Sequence, residues 1–402
     1  MEQPSANRER SRPGFFPRVY WQFCDRLKRN GVNVLCIGDA PYDSLSDELK
    51  GAMNEYYKVD TMEDYDQVYR AVAFFAHKYG RPDWIESNNE YWLNQDARLR
   101  EDFNIKTGVW PKELEPWQHK SGMKPYYEAA GIPTARCHKV TDIKAAKAFL
   151  KEIGGYPVFA KPDVGVGASD TYKIDTDEDL EAFFRDKPDA PYLMEEFVSG
   201  NIYSYDAIAD SNGEPLFESS NWFPPSIADI VGGGDLAYYV LPDVPEKLRE
   251  LGRKALKSFG VKSRYIHFEF FRLNKDRPNL GDAGDFVGLE VNMRPAGGYS
   301  PDMMNFAHST DVYQIYADMV TQDKRLLPES GDDHYCVYAS QKDGHEYAHY
   351  HDEIMARFGT RIVMAERMPD ILAGAMGNRM YTAHMYSEDE VNEFIEFIHK
   401  RA

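Results

Sequence analysis

The chain switches between two periods of apolar and polar positions, and its first third reads as strands interleaved with helices. Asn33 to Ala40 is a buried strand ending in a turn, Ser44 to Tyr56 is helical, and Val59 closes a second short strand. A helix from Glu63 to Tyr79, a strand over Asp83 to Ser87 and a helix from Asn89 to Phe103 continue the alternation. Strands alternating with helices predict βαβ units and a parallel sheet. The pattern then becomes mixed. A helix from Trp117 to Ala130 stops at Gly131, and Thr141 caps a helix to Ile153. Pro157 to Lys161, Thr171 to Ile174 and Pro191 to Glu195 are short strands. Thr176 opens a helix with Asp179 in the place of a capping-box Glu. From Glu196 onward come several strands, the Gly232-Gly233-Gly234 loop, a helix across Pro245 to Phe259, and a last helix capped by Ser387 and Glu390 and running through Lys400.

Two late strands carry an unusual feature. Tyr265 to Phe271 and Val287 to Pro295 are apolar runs, each with one acid near its centre, Glu269 and Glu290. A lone buried carboxylate is costly unless a cation or hydrogen bonds compensate it. Asn292 lies two residues beyond Glu290, on the same strand face. Three hard oxygen donors on adjacent strands suit Mg²⁺, which favours a few carboxylates plus phosphate oxygens. The same pair also fits two interrupted core strands with a structural salt bridge to Arg294.

Length and composition set the frame for these elements. A chain of 402 residues exceeds one compact core. Residues 1–17 read as a disordered lead-in, 18–115 as a first α/β lobe, 116–195 as a small mixed lobe, and 196–402 as a large lobe. The net charge of −19 leaves no basic footprint for nucleic acid. The four cysteines, Cys24, Cys36, Cys137 and Cys336, are far apart and read as reduced thiols. The polar opening residues lack a signal-peptide core, and no run approaches the ~18 apolar residues of a spanning helix. The expectation is a cytoplasmic protein that does not enter a membrane.

Three further segments carry candidate chemistry. Lys161 stands at the end of a buried strand, directly before Asp163-Val164-Gly165-Val166-Gly167-Ala168-Ser169. Glycines let backbone N–H groups approach an anion while the Lys supplies a point charge; alone, the segment also fits a strand and hairpin turn. Lys120 and Lys124 share a face in the first turns of a helix, which by itself reads as a solvated basic face. Tyr192 to Val198 is an apolar strand turning into a connection. An acid there can accept from an adenine amino group, or the segment is an interlobe linker. His345, His349 and His351 read as a solvated helix face rather than a metal site.

In this order and spacing the pieces resemble the ATP-grasp superfamily of carboxylate–amine ligases, the type that includes L-amino acid ligases and biotin carboxylase-like enzymes. The resemblance covers about residues 30 to 325. It is strongest at Glu290-Val291-Asn292-Met293-Arg294-Pro295-Ala296-Gly297-Gly298, which is similar to the superfamily's Glu-x-Asn-x-Arg-Pro-x-Gly-Gly signature. It implies an α/β fold with an N-terminal parallel-sheet domain, where Glu90 and Gly108 match, followed by two ATP-binding lobes. It further implies that Lys120 and Lys161 hold the ATP phosphates under a loop containing Gly165, Gly167 and Ser169. Glu195 would contact adenine, with Glu196, Phe197 and Val198 as the hinge lining the base. Glu269, Glu290 and Asn292 would hold Mg²⁺ (Mn²⁺ would also serve), and Arg294, with Lys161, would be catalytic.

The implied reaction joins a small carboxylate, such as an amino acid, to an amine through an acyl phosphate, and a homodimer is compatible with it. A bicarbonate-using carboxylase and a nucleotide-binding module without catalysis are the alternatives. One position departs from the pattern: Ile202 stands where the superfamily has an acid for the ribose hydroxyls. Ribose recognition then comes from elsewhere, with Glu196 the candidate, or nucleotide affinity is weaker than usual. His267, Tyr299, Trp222 and Arg264 are the candidate readers of the substrate, though each reads better as a packing residue.

Overall fold

The computed structural model describes residues 20–164, 170–223, 234–368, 373–374 and 376–402. Gly165, Gly167, Ser169, the lead-in 1–17 and Gly232-Gly233 lie outside the described residues. In the N-terminal part, β1 (Leu35–Gly38) and β2 (Glu55–Lys58) pair in parallel, as the alternation predicts. The helix expected over Ser44 to Tyr56 is shorter, Asp47–Ala52 capped by Ser46. Glu55-Tyr56-Tyr57-Lys58 leaves the helix because its aromatics pair with β1. Asp83 to Ser87 forms no strand. The carbonyl of Ile85 accepts from Arg100 Nε and Nη2 at 3.0 and 2.7 Å, and Ser87 N–H donates to the Asp96 carboxylate at 2.9 Å. Side chains therefore satisfy the backbone groups that a ladder would have used.

A four-stranded antiparallel sheet follows, with β3 (Cys137–Lys139), β4 (Val158–Pro162), β5 (Tyr172–Ile174) and β6 (Tyr192–Glu196) in the order β3-β6-β4-β5. Val158, Ala160 and Met194 pack one face against helices Ile143–Ile153 and Asp177–Asp186. Strand alternation puts Cys137, Phe159, Lys161 and Glu195 on the opposite face. Asp142, not Thr141, caps the first helix through Ala145 N–H, whereas Thr176 and Asp179 form the expected capping box.

The helix expected over Trp117 to Ala130 is broken. It is Glu115–Gln118 and Lys120–Ala129, with His119 extended between them at φ −94° and ψ 119°. The break gives Lys120 a new helix N-terminus. Its N–H donates to the Asp163 carbonyl at 2.9 Å, and Ser121 N–H donates to the Asp163 carboxylate at 2.8 Å.

The largest sheet has nine strands among the described residues. Eight run in the order β12-β11-β7-β9-β10-β13-β15-β14, and β8 pairs with β7. These are β7 (Gly200–Ala209), β8 (Pro215–Ser219), β9 (Asn221–Phe223), β10 (Ala237–Val240), β11 (Arg264–Leu273), β12 (Phe286–Asn292), β13 (Tyr335–Gln341), β14 (Ile362–Arg367) and β15 (Arg379–Met385). One face of β7 and β11 buries Tyr205, Ala207, Ile266, Phe268 and Phe270 with Leu248 and Leu256 of helix Glu246–Ser258. The last helix is Glu388–His399, capped by Ser387 as expected.

Helix Lys120–Ala129 is seated directly on β12. A Cβ on Gly288 would stand 2.8 Å from the Tyr127 ring, and Gly288 N–H donates to the Pro133 carbonyl at 2.8 Å. This close approach fixes Lys120 relative to Glu290.

Candidate active site

The acidic wall forms where two antiparallel strands meet in register. Glu269 of β11 stands opposite Glu290 of β12, and His267 stands opposite Asn292. A register shift follows Glu269, so Phe270 pairs with Gly288. Such a bulge re-aims side chains locally. Both carboxylates are largely covered, at 21% and 16% side-chain exposure, and both have cationic or imidazole neighbours. Lys120 Nζ lies 3.3 Å from Glu290 Oε1. His267 Nε2 lies 3.2 Å from Glu269 Oε1, and its Nδ1 lies 2.8 Å from Asp206 Oδ1.

Behind the wall, Asp206 accepts from Ser204 Oγ and, at 2.9 Å, from Asn221 Nδ2. Burial lowers the His267 pKa, but Asp206 and Glu269 outweigh it and bring it up to about 9. Burial likewise raises Glu269, yet His267, Arg294 and Lys120 hold it below the usual carboxylate range.

Arg294 follows the wall. Its Nη2 donates to Asn292 Oδ1 at 3.3 Å, its Nη1 to the Pro295 carbonyl at 2.8 Å, and its Nε lies 3.9 Å from Glu90 Oε2. Burial pushes Glu90 up to about 7; Arg294 opposes that and Glu290 adds to it. The folded state therefore binds more protons at this site than the unfolded chain between its ordinary value and about 7. Stability contributed there falls as pH rises through that window. Glu90→Gln should remove this loss, on the order of 3 kcal/mol. Its melting temperature relative to the wild type should be higher at pH 8 than at pH 5. An offset that does not change with pH would show that Glu90 titrates normally.

The facing sheet supplies Lys161, and helix Lys120–Ala129 supplies Lys120 and Lys124. Glu195 sits between Lys124 Nζ at 2.6 Å and Lys161 Nζ at 2.5 Å, one ammonium to each oxygen. Burial raises Glu195, but Lys124 and Lys161 overcome it and hold its pKa at about 2. Burial lowers Lys161, and Glu195, Glu290 and Glu269 more than reverse this, so Lys161 lies within electrostatic reach of the acidic wall. Lys124 is not the solvated residue its helix position suggested: its side chain is 13% exposed.

Glu196 also differs from expectation. Its carboxylate accepts from Arg136 N, Nε and Nη2 at 2.8, 3.1 and 2.7 Å, and Arg277 Nη2 lies 3.4 Å away. At 2% side-chain exposure it pins the hinge and is not presented to a ribose. Phe197 stacks obliquely near Phe159, with ring centroids 5.9 Å apart, and Val198 joins a small apolar cluster with Ala135, Leu273 and Val287. Ile202 is buried in β7, on the same strand face as Ser204 and Asp206.

The candidate substrate readers separate. His267 belongs to the wall, whereas Arg264 is buried against Glu86 at 2.7 Å and donates to the Met293 carbonyl at 2.9 Å. Trp222 stacks on Tyr239 at 4.8 Å, and Tyr299 donates to Glu366 at 3.1 Å. His345 and His349 precede helix His351–Phe358 and share no helix face with His351. His345 lies 3.4 Å from Asp235, His349 stacks on Phe397 and His351 stacks on Tyr381.

The polar alternation Ser204-x-Asp206 in an apolar strand, paired with the acid-bearing β11, was the available signal for the network behind His267. The sequence reading missed that network, and it also missed the Lys124–Glu195 pair.

The donors fit Mg²⁺ with a polyphosphate. Two carboxylates and a carboxamide offer only hard oxygens, leaving positions for phosphate oxygens. Among the described residues no three His, Cys, Asp or Glu side chains gather as a self-sufficient metal cage. No helix among them is long and apolar enough to cross a membrane.

No family model matches the chain. It is 23% identical over 252 residues to an alanine–anticapsin ligase of Bacillus subtilis (strain 168), covering 56% of this chain and 53% of that protein. The chain thus spans about half the length of the curated relatives it matches. Among solved structures, an L-amino acid ligase from Bacillus licheniformis superposes with a TM-score of 0.69 at 14% identity, over 93% of this chain and 94% of that one. The biotin carboxylase domain of Hydrogenobacter thermophilus 2-oxoglutarate carboxylase, solved with MgADP, ADP and bicarbonate, superposes with a TM-score of 0.64 at 16% identity, over 94% of this chain and 86% of that one. The fold is that of these ATP-grasp proteins.

Proposed function

We propose that this chain is an ATP- and Mg²⁺-dependent ligase that joins a small carboxylate to an amine, releasing ADP and phosphate. One observation carries the reading: Lys161, held by Glu195 on one sheet, faces Glu269 and Glu290 on the other, with Lys120 bridging to Glu290 at 3.3 Å. A cationic wall facing an acidic one suits a metal–polyphosphate and little else. The ligase names of the relatives agree with it.

In this reading Glu269, Glu290 and Asn292 hold Mg²⁺, which when bound neutralises phosphate charge. Lys120 and Lys161 orient the phosphates, Glu195 accepts from the adenine amino group, and Phe197 and Val198 flank the base. With Glu196 committed to Arg136, the ribose hydroxyls find no partner at that position. A carboxylate oxygen of the substrate attacks the terminal phosphorus and ADP leaves, giving an acyl phosphate. The amine then attacks the acyl carbon and phosphate leaves. Arg294, beside the wall, stabilises the acyl phosphate and then the oxyanion of the tetrahedral intermediate formed by the amine.

The test is a panel of amino acids and other carboxylates with amine acceptors, scored by ADP and phosphate release and by mass spectrometry. Hydroxylamine should trap a hydroxamate. Bicarbonate dependence without an amine would transfer the chain to the carboxylases, and formation of AMP would exclude the acyl-phosphate route.

A further inference from the structure

We infer that Lys124 is a positioning residue for base recognition: it fixes Glu195 as the acceptor for the 6-amino group of a purine while Lys161 serves the phosphates. The inference rests on the ATP-dependent reading above and adds a residue to it.

Glu195 is 7% exposed and divides its two oxygens between two ammonium groups, Lys124 at 2.6 Å and Lys161 at 2.5 Å. The two lysines arrive from different elements. Lys161 is on β4, two residues before Asp163, where the glycine-bearing segment begins. Lys124 is on helix Lys120–Ala129, one turn after Lys120. That helix is tied at its N-terminus to Asp163 and seated on β12 through Tyr127 and Gly288.

A polyphosphate draws Lys161 away from Glu195. With Lys161 alone, the carboxylate would then be buried without a cation, or would follow the lysine and neutralise it. Lys124 prevents both outcomes. It holds Oε1 from a helix seated on β12 through Tyr127 and Gly288, so the acceptor stays where a base amino group can reach it. A 6-keto purine presents an oxygen to the same carboxylate and is rejected. A site built around a fixed acceptor discriminates strongly between such partners.

The experiment measures dissociation constants for ADP and GDP with the full chain and Mg²⁺, in the wild type, Lys124→Gln, Lys124→Arg, Glu195→Gln and the Lys124→Gln/Glu195→Gln double variant. Thermal melting confirms that each is folded. Lys124→Gln should weaken ADP at least tenfold and GDP little, so the preference for ADP collapses. Lys124→Arg should restore most of it. Glu195→Gln should lose the same preference, and the double variant should lose no more than either single one. Equal weakening of ADP and GDP in Lys124→Gln would mean that Lys124 serves the phosphates, and an unchanged ratio or additive losses in the double variant would equally overturn the inference. If Lys124→Gln does not fold, the outcome rests on Lys124→Arg against Glu195→Gln: arginine retaining the preference that Glu195→Gln loses supports it, and arginine losing phosphate affinity alone overturns it. Absence of ADP binding in the wild type would instead overturn the nucleotide reading itself, and is told apart by appearing in the unmodified protein.

Discussion

Glu290→Gln is expected to lower ATP turnover by at least about 10²-fold while leaving the fold intact. Glu290 stands opposite Glu269, two residues before Asn292, and 3.3 Å from Lys120. It thus meets a proposed phosphate lysine directly. Glutamine keeps the size and one oxygen but removes the charge, so a bound Mg²⁺ would lose one of its proposed anionic ligands. The fold should tolerate this because the side chain retains 16% exposure and Lys120 has further interactions. Turnover is read as ADP release at several Mg²⁺ concentrations, and folding by circular dichroism. Turnover at the wild-type level would remove the metal assignment and return Glu269 and Glu290 to structural ion pairing.

The wall was legible because strand periodicity and chemistry agreed there. Two apolar runs each carried one acid, and the observed register sets Glu269 against Glu290 with Asn292 on the same face. The parallel β1–β2 pair and the Thr176–Asp179 capping box were equally readable, since both are local patterns. Other features depend on partners distant in sequence. Asp83 to Ser87 reads as a strand, but Arg100, fully buried, takes its carbonyl and displaces the ladder. Gly108 makes room for that guanidinium: a Cβ there would lie 2.7 Å from Arg100 Nε, and its φ of +95° already favours glycine.

The break at His119 was equally hidden. Helix periodicity continues through it, and only Asp163, 44 residues onward, supplies the cap that makes a new N-terminus worthwhile. Lys124 and Glu196 reversed their expected roles for the same reason. Spacing identified a basic helix face and a hinge acid, but Glu195 and Arg136, which decide what each does, come from other strands and loops. The small lobe's own partners thus determine which charges remain available to a ligand.

Arg294→Ala is expected to reduce hydroxamate formation by about 10²- to 10³-fold while leaving ADP affinity nearly unchanged. The guanidinium touches Asn292 Oδ1 at 3.3 Å and the Pro295 carbonyl at 2.8 Å, and is not one of the proposed phosphate lysines. In the proposed mechanism its removal subtracts charge where the tetrahedral oxyanion would develop and not where the nucleotide would be held. A second consequence separates this from simple misfolding. Arg294 is the main cation opposing the burial of Glu90, whose pKa already stands at about 7. Without it Glu90 should remain protonated through neutral pH, so the residual activity should follow a pH profile displaced toward the alkaline side. Charge restored as Arg294→Lys should recover part of the profile but little of the rate, because a point charge does not reproduce the planar fork. A variant that forms hydroxamate at the wild-type rate would show that Arg294 only braces Asn292 and Glu90. One that loses ADP binding in step with activity would place the guanidinium on the nucleotide instead.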